Sequence, residues 1–184
     1  MIYVISGSSG VGKSTVSDAI MNKHPEIVTA KSYTTRPKRK GEGDLEYFHV
    51  DEDSFKSLLE MGEILEYTKY AGNYYGTSLL DMEKKLSEGK DMLLVLDING
   101  GYAVKKAYPK DTILIYILAP SKETLRKRLL ERGTEGIEKI EERLSLYEAE
   151  LEGSKNYDYF VTNDNLDLTI EQVENIVKGS KEKK

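Results

Sequence analysis

Apolar runs alternate with amphipathic segments along most of the chain, which is the pattern produced by parallel strands joined by crossover helices. The apolar runs predict strands at residues 2–6, 27–30, 92–98, 112–118 and 159–161. The amphipathic segments predict helices, several followed by a glycine as a stop signal, at residues 13–24, 79–88, 121–132, 137–152 and 168–178. We therefore expect an α/β fold in which helices flank a parallel sheet.

One stretch, residues 32–77, departs from this alternation. It is rich in Lys, Arg, Tyr and Gly and contains strand-like pieces at 46–50 and 64–70. A short helix near 53–61 and turn residues at 72–73 complete the stretch. We interpret it as a small β-rich lobe inserted into the domain, beneath which a substrate could lie.

Length, charge and composition limit the function. At 184 residues the chain has room for one domain and little room for a second core. It holds 27 Lys and Arg against 32 Asp and Glu, a formal net charge of −5, so we expect no nucleic-acid partner. No apolar run approaches the roughly 20 residues that a membrane span needs, so we expect no membrane partner. The absence of Cys and of a basic, apolar leader favours a cytoplasmic location.

The clearest chemical pattern is the segment Gly7-Ser8-Ser9-Gly10-Val11-Gly12-Lys13-Ser14, a complete match to G-x-x-x-x-G-K-[ST], the P-loop. It stands between a predicted strand and a predicted helix, as a P-loop does. Its backbone N–H groups can wrap phosphate oxygens, Lys13 can reach the β- and γ-phosphates, and Ser14 offers a hydroxyl to Mg²⁺. We expect this segment and Thr15 to bind ATP, and the fold to be of the P-loop NTPase type. The alternative is a glycine-rich structural turn.

A second anion site is predicted in the basic segment 32–42, which concentrates lysines and arginines in an acidic protein. In one interpretation Arg36 and Arg39 fork onto the phosphate of an acceptor substrate. In the other, the segment is a solvated basic loop. The phenols of Tyr47 and Tyr75 in the same lobe favour the first interpretation, whereas Tyr70 and Tyr74 are interpreted as half-buried strand residues.

A carboxylate follows the apolar run 92–96. Because a buried parallel strand delivers the residue after it to the carboxyl edge of the sheet, Asp97 is the candidate acid that organises the water shell of Mg²⁺ beside Ser14. The competing interpretation is a turn-forming Asp.

From Ile2 to about Asn165 these motifs resemble, in order, the guanylate kinases, which are P-loop nucleoside monophosphate kinases. The resemblance implies that Glu66 reads guanine, and a carboxylate suits that role because it can accept from both N1–H and the 2-amino group. It also implies that the GMP phosphate is held by Ser32, Arg36, Arg39, Tyr47 and Tyr75. Thr77 occupies the position of a small hydroxyl near the base. Asn99 is a departure, because relatives commonly have a second carboxylate there that assists guanine binding.

The segment 124–134 with Arg143 resembles the lid of that family. Arg128 and Arg132 are four residues apart and so share a helix face, which could also be simply solvated. The resemblance implies that Arg132 and Arg143, and less directly Arg128, close over the triphosphate as catalytic or binding cations. Asn163 matches a position near the adenine ring, although a local Asx turn explains it almost as well.

The resemblance implies one domain spanning 1–184 that phosphorylates GMP, and dGMP as well, with ATP as donor and Mg²⁺ as cofactor. Within it we expect a core (1–31, 78–120 and 153–178), a GMP-binding lobe (32–77), a helical lid region (121–152) and a flexible tail (179–184). Two alternatives stay open: a P-loop kinase for another small acceptor, and a non-catalytic module that grips phosphorylated partners.

Overall fold

The structure, a computed structural model, describes residues 1–40, 42–43, 46–133 and 136–181. Its strands are β1 Ile2–Ser6, β2 Ile27–Val28, β3 Ser32–Thr34, β4 Tyr47–His49, β5 Ile64–Tyr70, β6 Asn73–Ser78, β7 Asp91–Val95, β8 Thr112–Leu118 and β9 Tyr159–Thr162. Its helices are α1 Lys13–Lys23, α2 Glu52–Glu60, α3 Leu79–Ser87, α4 Ile98–Ala107, α5 Lys122–Arg132, α6 Ile137–Ser145, α7 Tyr147–Gly153 and α8 Leu166–Lys181.

The core sheet contains five parallel strands in the order β2-β7-β1-β8-β9, with β1 at its centre. Every residue of β1 is buried, and successive residues face opposite sides of the sheet. Tyr3 and Ile5 join an apolar cluster with α1, α5, α6 and α8, whereas Ile2 and Val4 join a second cluster with α3 and α4. The predicted parallel sheet flanked by helices is confirmed.

A second sheet, in the order β4-β3-β6-β5, forms the small mixed β lobe that the sequence predicts. Strands β3 and β4 are parallel, and β6 runs antiparallel to β3 and β5. Strands β3 and β6 were not predicted as strands, because their Thr, Tyr and Gly residues show no clear apolar alternation. The amphipathic helix α2 buries Phe55 against the rings of Tyr67 and Tyr74.

The predicted strand at 92–98 is wrong at its carboxyl end, because β7 ends at Val95 and Ile98 begins the unpredicted helix α4. The sequence does not predict this helix because it contains two consecutive glycines, Gly100 and Gly101, and glycine disfavours helix interiors. Asp97 is the N-cap of α4, and its Oδ1 accepts from Gly100 N at 2.8 Å. The turn-forming role considered for Asp97 is therefore present in the structure.

Other boundaries differ less. The helix predicted at 137–152 is interrupted at Leu146, and the strand predicted at 27–30 ends at Val28. Helix α8 continues to Lys181, so residues 179–181 of the predicted tail are helical, and 182–184 lie outside the described residues. Within the described ranges no helix is both long and apolar enough to cross a membrane.

Candidate active site

The P-loop connects β1 to α1 at the carboxyl edge of the core sheet. Gly7, Gly10 and Gly12 adopt positive φ values of 151°, 88° and 99°. A side chain at Gly12 would also place its Cβ 2.6 Å from Asn163 Nδ2, so glycine is required there for two reasons. Helix α1 begins at Lys13 without a side-chain cap, which leaves its first N–H groups to an anion.

Lys13 is folded back over the P-loop. Its Nζ donates to the carbonyl oxygens of Gly7 at 2.6 Å and Ser8 at 3.1 Å. Burial, the largest influence, lowers the pKa of Lys13 to about 8, with Glu150 raising it and Arg143 lowering it. The hydroxyl of the buried Ser8 donates to Glu150, which therefore lies beside both the loop and its lysine.

The residues predicted to serve Mg²⁺ have free oxygen donors of the right chemistry. Ser14 is exposed in the first turn of α1, and the exposed Asp97 uses its Oδ1 to cap α4. No group of three or more acidic or His residues that could hold a metal occurs in the described part of the chain. A hydroxyl, one carboxylate and substrate phosphates match what Mg²⁺ takes, so the residues present fit this ion.

Two cavities meet at Asp97. The first, of about 370 Å³, lies beside the P-loop and is lined by Gly7, Asp97, Ile98, Asn99, Tyr116, Leu146, Ala149, Glu150 and Gly153. The second, of about 260 Å³, lies under the β lobe and is lined by Ser32, Tyr47, Glu66, Thr68, Tyr70, Tyr75, Gly76, Val95, Leu96 and Asp97. Four residues predicted for GMP line the second cavity, whereas Asn99 lines the first.

Glu66 is held in a largely buried position on β5. Its Oε1 accepts from the Thr77 hydroxyl and from Thr77 N at 3.3 Å. Burial raises the pKa of Glu66, the hydrogen bonds from Thr77 oppose that shift, and the nearby charge of Asp97 adds to it. Thr77, predicted to lie near the base, thus orients the carboxylate that is predicted to read it.

Arg36 and Arg39 lie in the loop after β3, and Arg36 contacts Tyr47, which lines the second cavity. The Arg36 guanidinium lies 5.4 Å from the centre of the Tyr47 ring. Both of its Nη atoms donate to Glu42, a residue of the basic segment to which the sequence assigned no role. The side chain of Arg39 is exposed, and its backbone contacts Glu42 twice: Arg39 N donates to Glu42 Oε2 at 2.8 Å, and Arg39 O accepts from Glu42 N at 3.1 Å.

The three arginines predicted for the lid, Arg128, Arg132 and Arg143, lie in different surroundings. Arg143 Nη1 donates to the Ser9 hydroxyl of the P-loop and Nη2 donates to the Tyr70 hydroxyl of the lobe. Arg128 Nη2 donates to the carbonyl oxygen of Asn163 at 2.9 Å, and Arg132 is exposed near the end of α5. The structure therefore brings Arg143 to the P-loop but leaves Arg132 on the surface.

Asn163 supports the P-loop through its side chain. Its Nδ2 donates to Val11 O at 2.7 Å, and its Oδ1 accepts from the Thr169 hydroxyl at 3.1 Å. A cavity of about 230 Å³ opens beside it, lined by Gly10, Val11, Gly12, Thr15, Arg128, Asn163, Asp164 and Leu166. Its backbone N–H also donates to Leu118 O at 2.8 Å, so Asn163 ties the P-loop to the end of the core sheet.

Sequence reasoning missed three residues beside the site: Glu42, Tyr70 and Glu150. An acid within a basic run was a usable signal for Glu42. For Tyr70 the sequence offers only the residue type, which does not indicate a role at the site. Glu150 contacts Ser8, 142 positions away in the sequence, and no local sequence pattern indicates such a contact.

A P-loop at the carboxyl edge of a parallel sheet, facing a second cavity under an inserted β lobe, defines a P-loop nucleoside monophosphate kinase. The family model described as guanylate kinase matches residues 1–180. Guanylate kinase of Prochlorococcus marinus subsp. pastoris is 39% identical over 97% of this chain and 97% of its own, and that of Enterococcus faecalis is 38% identical over 96% and 87%. The crystal structure of guanylate kinase from Anaplasma phagocytophilum has a TM-score of 0.76 and 30% identity, covering 98% of this chain and 85% of its own. The chain belongs to the guanylate kinase family.

Proposed function

We propose that the chain catalyses the ATP-dependent phosphorylation of GMP, the reaction of its family, with ATP on the P-loop and GMP in the cavity under the lobe. The observation that carries this proposal is the meeting of the two cavities at Asp97, because in-line transfer needs donor and acceptor phosphates at a shared boundary. The same site geometry also accommodates dGMP, since none of the predicted contacts involves the ribose.

Most of the predicted residues have a role consistent with their position, whereas the exposed side chains of Arg39 and Arg132 would have to move. Lys13 places a cation on the transferring phosphates, and Arg143 adds a second cation from α6, where it contacts Ser9 of the P-loop. Glu66 reads guanine, whereas Arg36 and Arg39 with Ser32, Tyr47 and Tyr75 hold the GMP phosphate. Asn99 assists at the base from α4, and Arg128 and Asn163 border the adenine.

The chemistry requires positioning more than proton transfer. The acceptor phosphate of GMP is already an anion at neutral pH, so no general base is needed to create the nucleophile. Mg²⁺, held by Ser14 and, through water, by Asp97, supplies positive charge to the phosphate oxygens when bound. Residues of the chain then exclude water, which would otherwise hydrolyse ATP.

Motion of two parts of the single domain accompanies catalysis in this proposal. The lobe (32–77) closes over GMP, and the lid region (121–152) brings Arg132 from the surface towards the triphosphate. A cytoplasmic location remains a prediction from the cysteine-free composition.

The test is an acceptor panel. The protein is incubated with ATP and Mg²⁺ and with GMP, dGMP, IMP, AMP, CMP or UMP separately, and ADP is measured. We expect rapid ADP formation with GMP and dGMP and at least about a hundredfold less with the other acceptors, because only guanine offers both donors to Glu66. Preference for another acceptor would support a different P-loop kinase, and no ADP with any acceptor would support a binding module.

A further inference from the structure

The guanidinium of Arg36 is engaged by a carboxylate of the chain itself. Its Nη1 donates to Glu42 Oε2 at 3.0 Å and its Nη2 donates to Glu42 Oε1, so the two side chains form a bidentate pair. The backbone N–H of Arg39 donates to Glu42 Oε2 at 2.8 Å. Three N–H groups of the basic segment therefore converge on one carboxylate.

This carboxylate lies among the residues assigned to the acceptor phosphate. The pKa of Arg36 is raised, first by its hydrogen bond to Glu42 and further by the nearby Tyr75, and its guanidinium lies over the Tyr47 ring. Arg36 Nη1 also donates to Pro37 O at 2.9 Å. Both Nη atoms are thus engaged, and a phosphate can take the bidentate position only by replacing Glu42.

Glu42 is charged over the whole physiological range. Hydrogen bonds from Arg36, and next from the backbone of Arg39, lower its pKa to about 2. A carboxylate brings one negative charge and two oxygens to the pair, whereas a monophosphate brings close to two charges and three oxygens. A phosphate therefore binds the arginines more strongly, but it must first displace an anion that is covalently tethered beside them.

We propose that Glu42 is an internal competitor for the acceptor phosphate. It occupies the Arg36 guanidinium while the site is free of GMP, the GMP phosphate displaces it, and the cost of this displacement sets the affinity for the acceptor. The inference rests on the proposed GMP site. Unlike the other residues of the site, Glu42 weakens acceptor binding, and its pairing with Arg36 holds that guanidinium in place before the acceptor binds.

Three variants test this proposal. Glu42→Gln keeps the shape of the side chain and removes its charge, and Glu42→Ala removes the carboxylate altogether. Glu60→Gln is the matched control, because Glu60 is an exposed residue of the same lobe at the end of α2. Isothermal titration calorimetry measures Kd for GMP and for guanosine, which lacks the phosphate, and circular dichroism checks the fold of each variant.

We expect Glu42→Gln and Glu42→Ala to lower the Kd for GMP about three- to tenfold, with guanosine binding changed less than about twofold. Glu60→Gln should change neither Kd by more than about twofold. An unchanged or higher GMP Kd in both Glu42 variants would overturn the proposal and make Glu42 a support for the arginines. If the wild-type protein binds no GMP, the proposed function fails, and this outcome is separate from the failure of the Glu42 proposal.

Discussion

Lys13 is positioned to bind the phosphates of the nucleotide, and the burial that comes with this position lowers its pKa. Its amine is buried against two carbonyl oxygens and lies near Arg143, an arrangement that suits a bound triphosphate better than an empty loop. Because burial favours the neutral amine, the lysine loses its proton at about pH 8, well below the usual range of a lysine. ATP restores the charge by surrounding the amine with anionic oxygens.

We expect Lys13→Ala to leave the protein folded and to lower kcat at least about a hundredfold, because a cation is removed from the transferring phosphates. In the wild-type protein, kcat/KM for ATP should fall above about pH 8, since this parameter reports the free enzyme. Steady-state ADP kinetics measure both effects. Lys23→Ala, an exposed lysine of the same helix, is the control, and near-normal ADP formation by Lys13→Ala would contradict the assignment of the P-loop.

Asn99 stands where the resemblance to the guanylate kinases leads us to expect a second carboxylate. It lies exposed in the first turn of α4 and lines the cavity beside Asp97, next to the one that contains Glu66. Its amide oxygen can accept from guanine but lacks the charge that roughly doubles the strength of such a hydrogen bond. Guanine recognition in this chain therefore depends mainly on Glu66.

We expect Asn99→Asp to strengthen GMP binding by about 1 kcal/mol, or several-fold in KM, with kcat nearly unchanged. IMP lacks the 2-amino group and should gain less. Steady-state kinetics with GMP and IMP measure the effect, and Asn22→Asp, which adds the same charge at an exposed position of α1, is the control. An unchanged GMP KM, or an equal gain for the two acceptors, would show that Asn99 only shapes the start of α4.

At the scale of elements, the sequence predicts the parts whose hydrophobic pattern is local. Strands β1, β5 and β8 lie where the pattern places them, because each is a continuous or alternating apolar run. The sequence does not predict helix α4, because glycine disfavours helices and the glycines here are required by contacts with distant residues. A Cβ at Gly100, for example, would lie 2.7 Å from Glu66 Oε2. The P-loop was predictable from spacing alone, whereas contacts of Glu42, Tyr70 and Glu150 depend on how distant elements meet.

The packing of α4 on β5 gives a test of the guanine site. Gly100→Ala adds a methyl group where the Glu66 carboxylate lies, and this flexible side chain can yield without unfolding the protein. We expect the GMP KM to rise roughly tenfold with the ATP KM unchanged, because only the base-reading carboxylate moves. Thermal unfolding should show only a small change in stability, because the helix preference of alanine is opposed by a close approach of 3.2 Å to Leu96 Cβ.

Gly179→Ala in α8 is the matched control, because no heavy atom lies within 4 Å of its added Cβ. It should leave both KM values unchanged. An unaltered GMP KM in Gly100→Ala would mean that Glu66 does not read the base.

At the scale of the whole molecule, the proposed donor and acceptor sites belong to different parts of the fold and meet at a few identifiable residues. Asp97, the N-cap of α4, lines both cavities, and Arg143 of α6 reaches both the P-loop and the lobe. Its guanidinium also lies 5.5 Å from the centre of the Tyr70 ring. Tyr70, interpreted from the sequence as a half-buried strand residue, is half exposed and orients an arginine of the donor site from the acceptor lobe.

This coupling predicts a defect in turnover when the Tyr70 hydroxyl is removed. Tyr70→Phe keeps the ring under Arg143 but removes its hydrogen-bond acceptor, and we expect kcat to fall about fivefold, or roughly 1 kcal/mol, with both KM values changed less than about twofold. Tyr67→Phe, an exposed tyrosine of the same strand, is the control and should retain full activity. In an Arg143→Lys background the loss from Tyr70→Phe should largely disappear, because two residues that act through one contact are not additive. Equal losses from Tyr70→Phe in both backgrounds would show that the hydroxyl acts independently of Arg143.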